Sequence, residues 1–313
     1  MNVFITGSAG FITSHLVEYV LAKGHTVIGV DNCITGSIEN IKNSLNNSSF
    51  QFFQEDILTF DYSSVKKSID IVFHMASPAS PIQYKKFPVE TLQVNSLGTK
   101  QALDFATEKN ALFIYASTSE VYGDPLVHPQ IEWYWGNVNP NGVRSCYDEA
   151  KRFGEAMCMS YVRTKKTQVR IARIFNTYGP KMAVNDGRVI SNFIVQALKN
   201  EPITLYGTGE QTRSFCYVSD LVQGLWLLAT KDVKSGEVIN LGNPHEITIK
   251  EIANKIKIAS ESTSLLIQKP IDQDDPSKRN PDISKAKELL DWHPYISLDE
   301  GLLKTIEYFK SIV

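Results

Sequence analysis

The sequence lacks most of what marks a membrane, metal-binding or secreted protein. Its 313 residues hold no apolar run near the ~18 residues of a membrane-spanning helix. The six histidines show no HxH or HExxH spacing, so no metal site is expected. Four cysteines (Cys33, Cys146, Cys158 and Cys216) are scattered without a CxxC, which predicts reduced thiols in a cytosolic protein rather than a disulfide framework or a zinc site. Neither charge is in excess. The 32 Lys+Arg against 34 Asp+Glu give a net charge of -2, which argues against nucleic-acid and anionic-membrane partners. No signal peptide is expected, because Met1-Asn2-Val3-Phe4-Ile5 enters a strand-like run at once.

What is present suits a packed enzyme-sized protein. Hydrophobic residues make up 42% and aromatics 10%, enough for a substantial core. At ~100–200 residues per domain the length predicts one large domain or two smaller ones. Short β-rich runs alternate with helical stretches over roughly the first 180 residues. The strand candidates are Val3–Thr6, Thr26–Asp31, Phe50–Asp56, Ile69–Ala76, Leu112–Ser117 and Val169–Phe175. Amphipathic stretches lie between them at Thr13–Lys23, Pro88–Lys109 and Tyr147–Thr164, while Asn43–Ser49 reads as a surface loop. That rhythm predicts an α/β fold: a Rossmann-like, doubly wound parallel sheet covered by helices on both faces. The rhythm changes after Gly179-Pro180. Helices are expected at Val189–Lys199, Ser219–Thr230 and Ile249–Ser260, short strands at Pro202–Tyr206 and Val238–Leu241, and a Pro/Asp-rich stretch from Lys269 to Pro281. Residues 1–180 are therefore expected to form a dinucleotide-binding domain, and residues 181–313 mainly a smaller C-terminal α/β substrate lobe. The cleft between them should lie at the strands' carboxyl ends.

Val3-Phe4-Ile5-Thr6-Gly7-Ser8-Ala9-Gly10-Phe11-Ile12-Thr13 reads as strand, glycine turn and helix start. Gly7 permits the turn, and Gly10 lets the backbone approach a pyrophosphate at the helix N-terminus. Asp31 ends the next strand about 20 residues on, where a carboxylate accepts hydrogen bonds from an adenosine ribose. No Arg follows Asp31, so NAD is favoured over NADP. Thr13 occupies the third glycine position of the pattern. It is expected to push the helix slightly outward and to alter cofactor seating.

A Tyr and a Lys four apart share a helix face. There the ammonium favours the phenolate and makes the phenol an acid/base group near neutral pH. The chain has four such pairs: Tyr19/Lys23, Tyr62/Lys66, Tyr147/Lys151 and Tyr161/Lys165. Context selects Tyr147/Lys151. It begins a helix after a long Gly/Pro/Asn loop, and it follows Ala116-Ser117-Thr118-Ser119-Glu120, the polar end of a central strand. The other three pairs read as solvated helix faces.

Together, Gly7-x-x-Gly10, Asp31, the Ser-Thr-Ser-Glu run and Tyr147/Lys151 resemble the extended short-chain dehydrogenase/reductase superfamily of nucleotide-sugar enzymes. More selective are His128-Pro129-Gln130-x-Glu132-x-Tyr134-Trp135-Gly136-Asn137-Val138-Asn139-Pro140 and Arg144-Ser145-Cys146-Tyr147-Asp148-Glu149. With Arg173–Pro180, Asp186–Val189, Gln211–Val218 and Asp274-Asp275-Pro276, they resemble the UDP-glucuronate decarboxylase (UDP-xylose synthase) family from residue 1 to about 310.

That resemblance implies an NAD-dependent enzyme that oxidises a UDP-sugar at C4, releases CO2 and re-reduces the ketone, using the cofactor without net redox change. By similarity Tyr147 takes the C4 hydroxyl proton, Lys151 supports it and the cofactor ribose, and Thr118 holds the same hydroxyl. Ser119 and Glu120 match positions near C5 and C6, and Arg279 an arginine at the sugar end, where a guanidinium suits a carboxylate. Cofactor contacts are implied at Gly7, Gly10, Phe11, Ile12, Asp31, Asn32, Asp56, Ile57, Met75 and Ala76, beside Tyr147 and Lys151. Asn176, Arg188 and Arg213 match positions on the diphosphate, with Tyr206 near the uracil and Gln211 also on the substrate side. Helices Pro88–Lys109 and Tyr147–Thr164 resemble a pair that builds a four-helix homodimer interface.

The chain departs from the family pattern at Thr13, at Asn141 in place of an aliphatic, and at Asn280 where a basic residue or Gln is common. Two alternatives stay open at this point. The ketone can instead serve dehydration or epimerisation, perhaps of a UDP-N-acetylhexosamine, although a 4,6-dehydratase usually has Asp-Glu where this chain has Ser119-Glu120. A dinucleotide-sensing regulator of the same fold typically lacks the Tyr or the Lys, and both are present here.

Overall fold

The computed structural model describes residues 1–270 and 278–313. Asp274-Asp275-Pro276 and most of the Pro/Asp-rich stretch lie outside the described residues. The first six strands are β1 (Asn2–Thr6), β2 (Thr26–Val30), β3 (Phe50–Phe53), β4 (Ile71–His74), β5 (Leu112–Thr118) and β6 (Val169–Ile174). Short strands follow: β7 (Thr177–Tyr178), β8 (Ile203–Tyr206), β9 (Thr212–Ser214) and β10 (Cys216–Tyr217). After them come β11 (Glu237–Leu241), β12 (Glu246–Thr248), β13 (Leu266–Lys269) and β14 (Lys278–Arg279). The helices are α1 (Phe11–Ala22), α2 (Ile38–Leu45), α3 (Pro81–Lys86), α4 (Pro88–Gln93), α5 (Thr99–Glu108) and α6 (Ser145–Lys165). Toward the C-terminus they are α7 (Val189–Leu198), α8 (Val218–Thr230), α9 (Ile249–Ala259), α10 (Ser284–Leu290) and α11 (Leu298–Lys310).

Strands β1–β6 and β11 form one seven-stranded sheet in the order β11-β6-β5-β4-β1-β2-β3, parallel throughout. A parallel sheet is apolar on both faces because helices cover both, and these strands show it residue by residue. Val3 and Ile5 of β1 enter one core and Phe4 the other; Ile71 and Phe73 of β4 are likewise split from Val72. Helices α1 and α8 pack together over one face, α5 and α6 over the other. The strand order reverses between β1 and β4. Crossovers leave in opposite directions there and open a crevice above the strands' carboxyl ends, the usual ligand position in such sheets. The sheet draws on chain from both sides of residue 180, since its seventh strand is Glu237–Leu241.

Three local features differ from the sequence reading. The strands predicted at Phe50–Asp56 and Ile69–Ala76 are shorter, so that Asp56, Met75 and Ala76 leave the sheet and line the crevice. The first residues of the loop predicted over Asn43–Ser49, up to Leu45, are the end of α2. Its Ile38, Ile41 and Leu45 repeat at helical spacing, and Ser37 caps it by accepting the Glu39 N–H at 3.3 Å. The helix predicted over Pro88–Lys109 contains a π turn at Val94–Gly98. There Asn95 Nδ2 donates to Thr91 O and to Ser77 Oγ, both at 2.8 Å, drawing a carbonyl off the regular ladder.

The C-terminal segment is keyed to the sheet by Trp292. Its ring is fully buried, packs on Gly224 of α8 and donates from Nε1 to Asp220 O at 2.9 Å. Asp220 Oδ2 in turn accepts the Tyr295 and Ile296 N–H groups at 3.0 and 2.9 Å. Removing the ring leaves a large cavity under α8. Trp292→Ala is therefore expected to cost about 3–5 kcal/mol of stability, measured as a lower denaturant midpoint with unchanged slope.

Candidate active site

The carboxyl ends of β1, β2, β4 and β5 open into a cleft of about 900 Å³. Every site residue singled out in the sequence lines it, including the substrate-side Asn176, Arg188, Tyr206, Gln211, Arg213 and Arg279 from the distal part of the chain.

The cofactor end is built from tight backbone approaches. Gly7 has φ +70, and its N–H donates to Val30 O at 2.8 Å. A Cβ on Gly7 would lie 2.8 Å from Ala76 Cα, so only glycine brings the β1 turn against the end of β4. Gly10 heads α1 without a side-chain cap, which leaves the first amides of that helix directed at the cleft beside Phe11 and Ile12. Thr13 is buried, and its Oγ1 lies where a Cβ on Gly10 would come within 3.1 Å.

Asp31 is buried at the end of β2. Burial pushes its carboxyl up, against two backbone donors, Cys33 N–H at 2.7 Å and Ala9 N–H at 2.9 Å. Each oxygen keeps a lone pair for a ribose hydroxyl. Asn32 Nδ2 donates to Asp56 Oδ2 at 2.9 Å and holds the next loop, with Ile57, over the same pocket. These residues fit a dinucleotide: glycine cradle, helix amides and buried carboxylate stand in the order of pyrophosphate and ribose.

At the centre, helix α6 packs on β5. Gly154 presents no side chain, and Tyr115 fills the space its Cβ would need. The approach lets Lys151 Nζ donate to Ala116 O at 2.8 Å while sitting 5.8 Å from the Tyr147 ring centroid. Burial pushes the Lys151 ammonium down to about 7 and the Tyr147 phenol up, the latter opposed by a hydrogen bond with Thr118. Charge on either group is thus expensive at these buried positions.

Beyond Thr118 lies a buried ionic cluster. Glu120 Oε2 accepts from Arg144 at 2.6 Å and from Arg279 at 3.2 Å. Burial would raise the Glu120 carboxyl, but Arg144, Arg279 and Arg213 outweigh it and hold the group well below the usual range. Asp148 is pushed up by its own burial and by Glu120. Arg279 also donates to Gly123 O at 3.1 Å and to Ser119 O. Arg188 pairs with Asp186, and Arg213 donates to Thr212 O at 2.8 Å. Tyr206 ends β8, half open to solvent, where its carbonyl accepts from Gln211 Nε2.

Sequence reasoning missed two residues here. Tyr84 stacks on Tyr147 with centroids 5.1 Å apart and planes 6° from parallel, and no spacing links the two. Arg144, the second cation on Glu120, carried a signal in its place three residues before Tyr147. Asn280, a departure from the family pattern, is buried beneath the cleft wall, and Asn141 is exposed.

Comparison with known proteins agrees with this geometry. The sequence pattern of the NAD dependent epimerase/dehydratase family matches residues 3–242. The chain is 49% identical over 316 residues to UDP-glucuronic acid decarboxylase 2 of Arabidopsis thaliana, covering 100% of this chain and 69% of that protein. It is 50% identical over 308 residues to UDP-glucuronic acid decarboxylase 1 of Danio rerio, covering 98% of this chain and 72% of that protein. Among solved structures, UDP-glucuronic acid 4-epimerase from Bacillus cereus, in complex with UDP-glucuronic acid and NAD, aligns with a TM-score of 0.92 at 31% identity over 100% of both chains.

The depressed Lys151 has a consequence for stability. An exposed lysine titrates near ~10.4, so between about pH 7 and that value the unfolded chain holds a proton the native chain has released, and stability rises with pH. Below about pH 7 both states hold it and the burial cost is at its full size. Lys151→Met is expected to raise the melting temperature of the ligand-free protein most at about pH 6 and progressively less toward about pH 10. A gain that does not shrink with pH would show that Lys151 is not depressed.

Proposed function

The chain belongs to the NAD dependent epimerase/dehydratase family, and from that premise we propose that it converts UDP-glucuronate to UDP-xylose by oxidation at C4, loss of CO2 and re-reduction. The observation that carries this reading is what adjoins the Tyr147/Lys151 pair: Arg279 and Arg144 around Glu120, cationic groups where a sugar carboxylate would lie. An uncharged hexose needs no such cluster.

In this reading Tyr147 Oη takes the proton of the C4 hydroxyl, Thr118 Oγ1 holds that hydroxyl in line, and Lys151 Nζ steadies the phenolate and the cofactor ribose. NAD held by Gly7, Gly10, Asp31 and Lys151 would supply a reversible hydride acceptor for C4 and a positive ring charge that eases phenolate formation. With C4 a ketone, the C6 carboxylate lies β to a carbonyl. The C5–C6 bond breaks, CO2 departs, and the electron pair enters the C5–C4–O enolate. A proton drawn from solvent is added to C5, in place of the departed carboxyl group, on the side of Ser119 and Glu120, and Tyr147 gives its proton back to the C4 oxygen. Asn176, Arg188 and Arg213 hold the diphosphate, Tyr206 and Gln211 the uracil end.

A second reading is favoured by the likeness to the Bacillus cereus enzyme: the same C4 ketone is re-reduced from its other face, giving epimerisation without CO2 loss. One assay separates the two. Purified protein incubated with UDP-glucuronate and NAD is expected to yield CO2 and UDP-xylose by mass; a product of unchanged mass would favour epimerisation. Tyr147→Phe is expected to lower turnover about 10²–10⁴-fold while NAD affinity, read by titration, stays unchanged. Wild-type rates in that variant would remove Tyr147 from the chemistry.

The reading extends to assembly and setting. Val89, Leu92 and Leu97 on α4 and the π turn, and Phe153 on α6, are exposed apolar side chains on packed neighbours. They support a homodimer in which two helices from each copy form a four-helix bundle. The free thiols of Cys33, Cys146, Cys158 and Cys216 support a reducing, cytoplasmic setting. Among the described residues no helix is long and apolar enough to cross a membrane. Replacing Val89 and Phe153 together by Glu is expected to convert the dimer to a monomer in sedimentation analysis; an unchanged species would place the interface elsewhere.

A further inference from the structure

The His128-Pro129-Gln130 motif marks the family resemblance, yet none of its side chains lines the cleft. We propose that Gln130 is a positioning residue for Arg279: it clamps the strand that carries Arg279, and so controls whether the C4-oxidised sugar goes on to lose CO2. The proposal rests on the decarboxylase reading of the site.

The geometry begins with a strand too short to place itself. β14 is two residues long, paired to β9 through Lys278↔Thr212 and Arg279↔Arg213. Register in so short a ladder is weakly specified, and a slip of one residue would turn Arg279 to the opposite face. Arg279 is nonetheless placed closely, 2% exposed, with its guanidinium on Ser119 O, Gly123 O and Glu120 Oε2. Among the described residues, those that follow it also hold the register.

Those residues are gripped by Gln130, which is fully buried. The Gln130 N–H donates to Asn280 O at 2.8 Å, and the Asp282 N–H donates to Gln130 O at 2.8 Å, bridging Gln130 to Pro281. The Gln130 side chain adds a third contact, with Oε1 accepting the Asn280 N–H at 2.8 Å while Nε2 donates to Val127 O at 3.0 Å. Asn240 of β11 braces the same junction, its Nδ2 donating to Gln130 O at 3.0 Å and Asp282 O at 3.1 Å. On the far side Glu246 accepts from Thr212 Oγ1 at 2.6 Å and from Asn280 Nδ2 at 3.4 Å, and pairs with His128 at 2.9 Å. Of these contacts, the bond from the Asn280 N–H is the one that a side-chain change at Gln130 removes directly from the residue next to Arg279.

Gln130→Met keeps length and removes that acceptor. It is expected to leave NAD affinity and the rise of reduced-nicotinamide absorbance on adding UDP-glucuronate near wild type, while CO2 release falls about 100-fold, as for an angstrom-scale misplacement of a reacting partner. Reduced cofactor then persists after that rise, where in the wild type it is reoxidised as CO2 is released. Gln130→Glu keeps an acceptor for Asn280 and, buried and protonated, a donor for Val127; it is expected to restore CO2 release. Combined with Arg279→Gln, Gln130→Met should add nothing to the loss, since it acts through Arg279. If Gln130→Met does not fold, Asn240→Ala, which removes the brace on the same junction, is expected to give the same accumulation of reduced cofactor. Equal loss of cofactor reduction and CO2 release, an additive double variant, or a wild-type ratio in a folded variant would each overturn the positioning role alone. No CO2 from the wild type would overturn the decarboxylase reading and this proposal with it.

Discussion

The site depends on one buried charge, the Glu120 carboxylate shared between Arg144 and Arg279. Taking three ionised groups out of water is costly, and their attraction offsets the cost only with close geometry and the remaining polar atoms satisfied. The chain meets that condition by joining distant segments: the end of β5, the residue before α6, and β14 some 159 positions from Glu120. The Ser119 and Gly123 carbonyls take further guanidinium N–H groups. Moving any one of these segments takes a partner from a buried charge, which is costly in the interior. The cluster is therefore a constraint on the whole cleft as well as a feature of its floor.

The second constraint is the distance between α6 and the sheet. Gly154 removes the side chain that would hold the helix away from Tyr115, and the result is a lysine whose ammonium reaches a strand carbonyl. An exposed Tyr-x-x-x-Lys pair would gain little from its spacing. Here burial makes charge on either partner expensive, so the pair responds strongly to a charge that enters with a ligand. Tyr84 continues the argument from the other wall. Its ring lies flat on Tyr147 and limits the phenol's rotation, so the hydroxyl stays beside Thr118.

The parts of this arrangement that could be read from residues alone are those whose geometry is local. Gly7, Gly10 and Asp31 sit at strand ends, where strand, turn and helix follow one another within a few residues. The polar ending of β5 likewise announces that Ser117–Glu120 leave the core. Tyr147/Lys151 needed context, because three other pairs share its spacing. What stayed hidden depends on approaches between remote segments. Tyr84 meets Tyr147 across 63 positions with no common period. Gln130 meets Asn280 across 150. The helix at Ile38–Leu45 was obscured for a different reason: its Asn and Ser residues favour turns, and burial of Ile41 with capping by Ser37 outweighs that preference.

The same distinction explains why the family motifs mix chemistry with scaffolding. Tyr147 and Glu120 face the cleft, whereas Gln130, Glu132 and Tyr134 do not. Glu132 Oε1 accepts the Asn240 N–H at 2.9 Å, Arg173 donates to Glu132 O at 2.8 Å, and Tyr134 stacks on Tyr122. Arg173 also forks onto Glu155 of α6 at 2.9 and 2.8 Å, and Ser117 of β5 donates to that same carboxylate. A continuous polar path thus runs from the helix that carries Lys151, through Arg173 and Asn240, to the junction that carries Arg279. Tyr122, Arg173, Asn240 and Gln130 within it are buried and bonded in series, so replacing one of them takes a partner from its neighbour. These bonds constrain their residue types although none of Tyr122, Gln130, Arg173 and Asn240 lines the cleft. A motif in such a protein therefore reports which groups must be held in register, and only geometry separates the groups that hold from the groups that act.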